Sequence, residues 1–118
     1  MAFELFKNYV NKEGRKLQPP FLTLNKNGLC FFSKSAVKEY VLNCEHVKLY
    51  FDRKVKIIAF EFTYEYETDS TLPVKGKRCT TVWIRALFNM LEWDIEPYAG
   101  RYSINEPDSK SQHPYIKL

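Results

Sequence analysis

Between His46 and Asp52 the chain alternates cleanly, with Val47, Leu49 and Phe51 on one side and Lys48, Tyr50 and Asp52 on the other. A period of two is the mark of a strand with one buried face. Val55–Tyr66 continues the pattern as a long strand, with Ile58, Phe60, Phe62, Tyr64 and Tyr66 on one face and Ile57, Ala59, Glu61, Thr63 and Glu65 on the other. Two stretches switch to the period of a helix. Ala36, Val37, Tyr40 and Val41 form a stripe after Ser33, a residue suited to capping a first helical turn, and Ile84, Leu87, Phe88 and Leu91 form a second, with Thr80 or Thr81 as its expected cap. Both apolar stripes are expected to pack against Val47, Leu49, Phe51, Ile58 and Phe60.

Shorter strands surround these elements. Phe3–Lys7 reads as an edge strand. Phe21–Leu24 and Leu29–Phe32 flank Asn25-Lys26-Asn27-Gly28, a turn whose residues tolerate positive φ. Leu72–Lys75 leads into the basic turn Gly76-Lys77-Arg78; Tyr98–Asn105 and Tyr115–Leu118 read as closing strands around the polar turn 107–114. Residues 8–20, ending in Pro19-Pro20, read as an exposed arm, since Pro-Pro continues neither a ladder nor a helix.

The two helix-bearing stretches share a layout of turn, short strand, helix and strand. Cys30 aligns with Cys79 and Val41-Leu42 with Met90-Leu91. A repeated supersecondary unit implies that each copy buries its apolar face against the other. The expected architecture is therefore one α+β domain over 1–118, a mainly antiparallel small barrel or sheet built from two β-α-β-β halves, about 20–67 and 72–118, with two short helices.

Leu22–Tyr40, continuing through Val47-Lys-Leu-Tyr-Phe-Asp, resembles the AbrB-like (SpoVT/AbrB, MazE-type) swapped-hairpin domain: strand, turn ending in Gly28, strand, short helix entered at Ser33, then a hairpin. Lys34 and Lys38 occupy the region where that family carries basic residues. The chain departs from the pattern in lacking the Arg-Arg pair on the helix and in having Val41-Leu42-Asn43 where Leu-Gly is common. It is also similar to small uncharacterised phage or mobile-element proteins. The resemblance implies a DNA-binding regulator whose barrel closes by pairing two hairpin units; two copies in one chain could close it within a monomer.

Composition narrows the function. Nine Phe, eight Tyr and two Trp within a 45% hydrophobic chain supply a packed interior. The net charge of +4 is uneven: residues 1–56 carry eleven Lys or Arg against five Asp or Glu, while residues 57–118 carry seven against nine. The basic half suits a polyanion. The cations placed to contact double-stranded DNA are Arg15 and Lys16 on the arm, Lys26 in the first turn, Lys34 and Lys38 on the first helix, and Lys77, Arg78 and Arg85 in the second half. A protein partner or a homodimer is the alternative, suggested by strand tyrosines and by the acidic run from Glu61 to Asp69.

Nothing in the residues points to an enzyme, a cofactor or a metal. His46 and His113 read as surface groups, and Cys30 beside Phe31-Phe32 as a core residue. Four glycines form no phosphate loop, and no C-x-x-C pair occurs. No long apolar run suggests a membrane segment, and three unpaired cysteines fit a reducing cytoplasm.

Overall fold

The computed structural model describes residues 19–76 and 80–118. Its strands are β1 (Phe21–Leu24), β2 (Leu29–Phe32), β3 (His46–Asp52), β4 (Ile57–Thr63), β5 (Leu72–Lys75), β6 (Thr81–Trp83), β7 (Gly100–Ser103) and β8 (Tyr115–Lys117). Helix α1 (Lys34–Ala36) runs into a π turn at Val37–Val41, α2 spans Arg85–Leu91, and a 3-10 turn covers Glu96–Tyr98. The strands form one sheet in the order β7-β1-β2-β6-β5-β3-β4-β8, antiparallel throughout. The two ends of that sheet come together where Asn105 and Tyr115 exchange backbone hydrogen bonds at 2.7 and 3.1 Å. The result is a small α+β near-barrel.

Alternation decides what the barrel encloses. Leu22, Leu24, Cys30, Phe32, Val47, Ile58, Phe60, Val74 and Val82 point inward and are buried. Phe32 meets Phe60 and Phe62 edge-on, with ring centroids 5.5 and 5.4 Å apart. Both helical stripes join the core as expected: Ala36 and Val41 from the first, Ile84, Leu87, Phe88 and Leu91 from the second, with Val37 and Tyr40 half-buried against them. The π turn is closed by the Leu42 amide on the Val37 carbonyl at 2.9 Å, and Val41 within it is fully buried. It ends in two left-handed residues, Leu42 and Asn43.

Several expectations need correction. Phe51 is 40% exposed, because it lies near the β3–β4 turn, beyond the reach of the core, where its ring instead meets the Arg53 guanidinium at 5.9 Å. The long strand ends at Thr63, leaving Tyr64 and Tyr66 exposed. Its second face is not all solvent-facing: Ile57 and Ala59 are buried with Tyr115 in a small cluster of their own. Thr81 does not cap α2. It lies in β6, and its hydroxyl donates to the Lys75 carbonyl at 2.9 Å across the hairpin, while Ile84 takes the N-cap position without a side-chain bond. Of the expected Tyr98–Asn105 strand only the middle, Gly100–Ser103, forms β7, which starts after the 3-10 turn. Phe3–Lys7 and residues 8–18 of the arm lie outside the described residues; Pro20 is buried, and its carbonyl accepts the Ile104 amide at 3.0 Å.

Candidate nucleic-acid interface

Lys26 is carried by a turn that the side chain of Asn25 builds. Its Oδ1 accepts the amides of Asn27 and Leu29 at 2.9 and 3.0 Å, and the Gly28 amide returns to the Asn25 carbonyl at 3.1 Å. Gly28 has φ of +96°, so its lack of a side chain is required there. Its carbonyl accepts the Ile84 amide at 2.8 Å, seating the turn on the start of α2, whose first residue is Arg85.

Lys26 and Arg85 therefore line one cleft, together with Asn89, Trp93, Asp94, Ile95, Glu96 and Pro97, a space of roughly 600 Å³. Two cations face two carboxylates there. Beside it lies an aromatic cluster in which Phe88, Trp93 and Tyr98 meet edge-on or tilted with centroids 5.9–6.1 Å apart, and Lys56 sits over Trp93 and Tyr98 at 5.8 and 5.4 Å.

Lys34 and Lys38 sit four residues apart on the first helical segment and are both exposed. Ser33 sets the direction of that segment. Its Oγ accepts the Ala36 amide at 3.2 Å and also the Phe21 amide at 3.1 Å, tying the helix start to β1. Among the described residues none of Lys26, Lys34, Lys38 and Arg85 is held in an ion pair. The structure thus groups Lys26 with Arg85 and Lys34 with Lys38. Arg15, Lys16, Lys77 and Arg78 lie outside the described residues.

The groups weighed for catalysis sit in other settings. Cys30 is fully buried, and burial pushes its thiol up to about 12, so it presents no thiolate. His113 stacks on Tyr50 at 5.2 Å with its Nε2 3.8 Å from Glu61 Oε2, and the Tyr50 hydroxyl donates to the other Glu61 oxygen at 3.0 Å. His46 lies 5.5 Å from the Tyr66 ring. No three His, Cys, Asp or Glu side chains among the described residues are grouped to hold a metal ion. No helix among them is long and apolar enough to cross a membrane.

Sequence reasoning missed one surface. Phe31 and Trp83 point outward from β2 and β6 and are 44% and 50% exposed. The Arg101 guanidinium on β7 lies 4.1 Å above the Phe21 ring on β1. The signal was present: β1, β2, β5, β6 and β7 contain no Asp or Glu at all. Comparison of the chain with protein-family models, with curated proteins and with solved structures finds no match.

Proposed function

We propose that this chain is a non-enzymatic DNA-binding regulator of AbrB-like type, in which two halves of one chain play the part of two paired hairpin subunits. The observation that carries the reading is the position of two cations. Lys34 and Arg85 are each the first residue of the helix in their half.

The strand order supports treating them as equivalent. Exchanging β1, β2 and β3 with β5, β6 and β7 turns the run β7-β1-β2-β6-β5-β3 into its own reverse. The strand after each helix pairs with the first strand of the other half, β3 with β5 and β7 with β1. The ends of β2 and β6 are tied in matching fashion, Ile84 amide to Gly28 carbonyl at 2.8 Å and Phe32 amide to Thr80 carbonyl at 2.9 Å. Those ties relate Phe32 to Ile84 and Gly28 to Thr80, which sets Lys34 against Ala86, one position from Arg85; Lys34 and Arg85 correspond as the first residues of their helices. Cations repeated about a pseudo-twofold axis suit a duplex, whose own backbone has twofold symmetry.

Titration of a labelled duplex, read by fluorescence anisotropy at several salt concentrations, tests the proposal. Binding should weaken steeply with salt, with a log–log slope of about −0.9 per phosphate neutralised. The double variants Lys26→Ala/Arg85→Ala and Lys34→Ala/Lys38→Ala should each reduce that slope. An absence of duplex binding at low salt removes the reading. A solution mass near 14.0 kDa at low concentration is expected if the chain closes its own barrel.

A second reading, a protein-interaction module of phage or mobile-element type, draws on the edge after β4. Tyr64 and Tyr66 are 70% and 65% exposed there, interleaved with Glu65 and Glu67. A partner recovered on the wild type and lost on Tyr64→Ala/Tyr66→Ala would favour it.

A further inference from the structure

We propose that the outer face of β7-β1-β2-β6-β5 is a stacking platform for single-stranded DNA, separate from the cations of the duplex reading and independent of it. Phe31 stands on β2, the central strand of this face, and Trp83 on β6 beside it. Cys30 pairs with Val82, Phe31 with Thr81 and Leu29 with Trp83, so the two rings are diagonal neighbours on adjacent strands. Sheet geometry sets such side chains about 7–8 Å apart. Large rings held half in water are costly to leave on a sheet face that could carry polar residues, while the inward positions of β2 and β6, Cys30, Phe32 and Val82, are apolar and buried. Phe31 is backbone-paired on both sides, with Thr23 and Thr81, and Trp83 on one side, with Leu29, so the backbone beneath the rings is already fixed before a ligand arrives.

Charge identifies the occupant. Arg101, stacked on Phe21, and exposed Lys75 flank the two central rings, one on β7 and one on β5. No carboxylate is present in any of the five strands. The opposite side of the barrel differs: the outward residues of β3 and β4 include Asp52 and Glu61 beside Lys48. A neutral apolar partner would leave the cations without counter-charge. An unpaired nucleotide supplies both things the face offers contacts for, a flat base for each ring and a phosphate for each cation. Stacking reads every base alike, so the platform is tolerant of sequence. Neither contact uses a 2′-hydroxyl, so RNA gains nothing over DNA on this face, and the occupant proposed is single-stranded DNA.

The test uses the full chain and a labelled oligo(dT) of roughly twelve nucleotides, within the range that one such face covers. Trp83→Ala and Phe31→Ala should each weaken binding about tenfold, the usual loss when one stacking ring is removed. Trp83→Phe, which keeps an aromatic plane, should restore most of it, an outcome a merely structural role would not produce. Arg101→Gln and Lys75→Gln should each lower the salt slope by about 0.7. These side chains are exposed, so circular dichroism and thermal unfolding should stay near wild type.

Three outcomes overturn the proposal: no oligo(dT) binding at low salt, folded Trp83→Ala binding within about twofold of wild type, or a clear preference for oligo(rU). A fourth is a concentration-dependent rise in mass that Trp83→Ala abolishes, which makes the face a contact between two copies of the chain. Lys26→Ala/Arg85→Ala separates this site from the duplex reading, since it should leave oligo(dT) affinity unchanged.

Discussion

Gly28 and Ile84 are joined by a single backbone hydrogen bond of 2.8 Å, and through it the first hairpin turn rests on the start of the second helix. The approach leaves no space. A Cβ on Gly28 would stand 2.8 Å from Arg85 Cβ and 3.1 Å from its Cα, and the glycine's φ of +96° is one that side chains rarely adopt. Gly28→Ala should therefore cost about 3 kcal/mol, combining backbone strain with overpacking. Chemical denaturation checks this, and a loss below about 0.5 kcal/mol would show that the turn can lift away from α2 freely.

Ser33 serves two amides with one oxygen, that of Ala36 in its own helix and that of Phe21 in β1. Ser33→Ala leaves both donors without their partner. A loss of about 1–2 kcal/mol is expected, from the missing cap together with a second, half-buried donor. Ser33→Gly, which allows water closer to both amides, should cost less from the capping term alone. Urea unfolding of the pair measures the difference.

The second helix depends on its buried face. Leu87 is 8% exposed and Phe88 is fully buried against Trp93 and Tyr98. Phe88→Ala should cost about 3–5 kcal/mol. Leu87→Asp should cost several kcal/mol, through lost burial and an unpaired carboxylate. Near-native unfolding of Leu87→Asp would overturn this core assignment.

The loop that closes the barrel is pH-sensitive at its acid end. The Tyr115 hydroxyl donates to Asp108 at 2.6 Å, and with the Lys110 amide it holds the Asp108 carboxyl below its ordinary value of 3.8. A carboxyl lowered in the folded state stabilises the fold above its unfolded value, and that stabilisation is lost as pH falls through the folded value. The same bond raises the Tyr115 phenol above its ordinary 10.0, so its contribution is present below that value and is lost as pH rises past the raised one. Tyr115→Phe should flatten the stability–pH curve at both ends, below about pH 4 and above about pH 10. Thermal unfolding across that range provides the check; an unchanged acid limb would mean that Asp108 does not sense Tyr115.

Where short-range rules apply, the sequence was a good guide. Ser33 had to cap, Asn25–Gly28 had to turn, and the stripes Ala36–Val41 and Ile84–Leu91 had to face inward, because each depends on residues within a few positions of one another. Thr81 misled for the same reason: locally it is a cap, but the β5–β6 hairpin uses its hydroxyl first. Phe51 misled because alternation continues past the point where the core ends.

The near-barrel itself was decided by contacts between distant parts of the chain: β7 beside β1, β3 beside β5, and Asn105 against Tyr115. No local pattern specifies which strand edge meets which, since every edge offers the same backbone donors and acceptors. That pairing also brought Lys26 to Arg85 and set Phe31 diagonal to Trp83, residues more than fifty positions apart. The amino-acid order determined which side chains point in and which point out. Only the closing of the sheet decided which outward-facing residues would share a surface, because that depends on the free energy of long-range pairing rather than on neighbours in the chain.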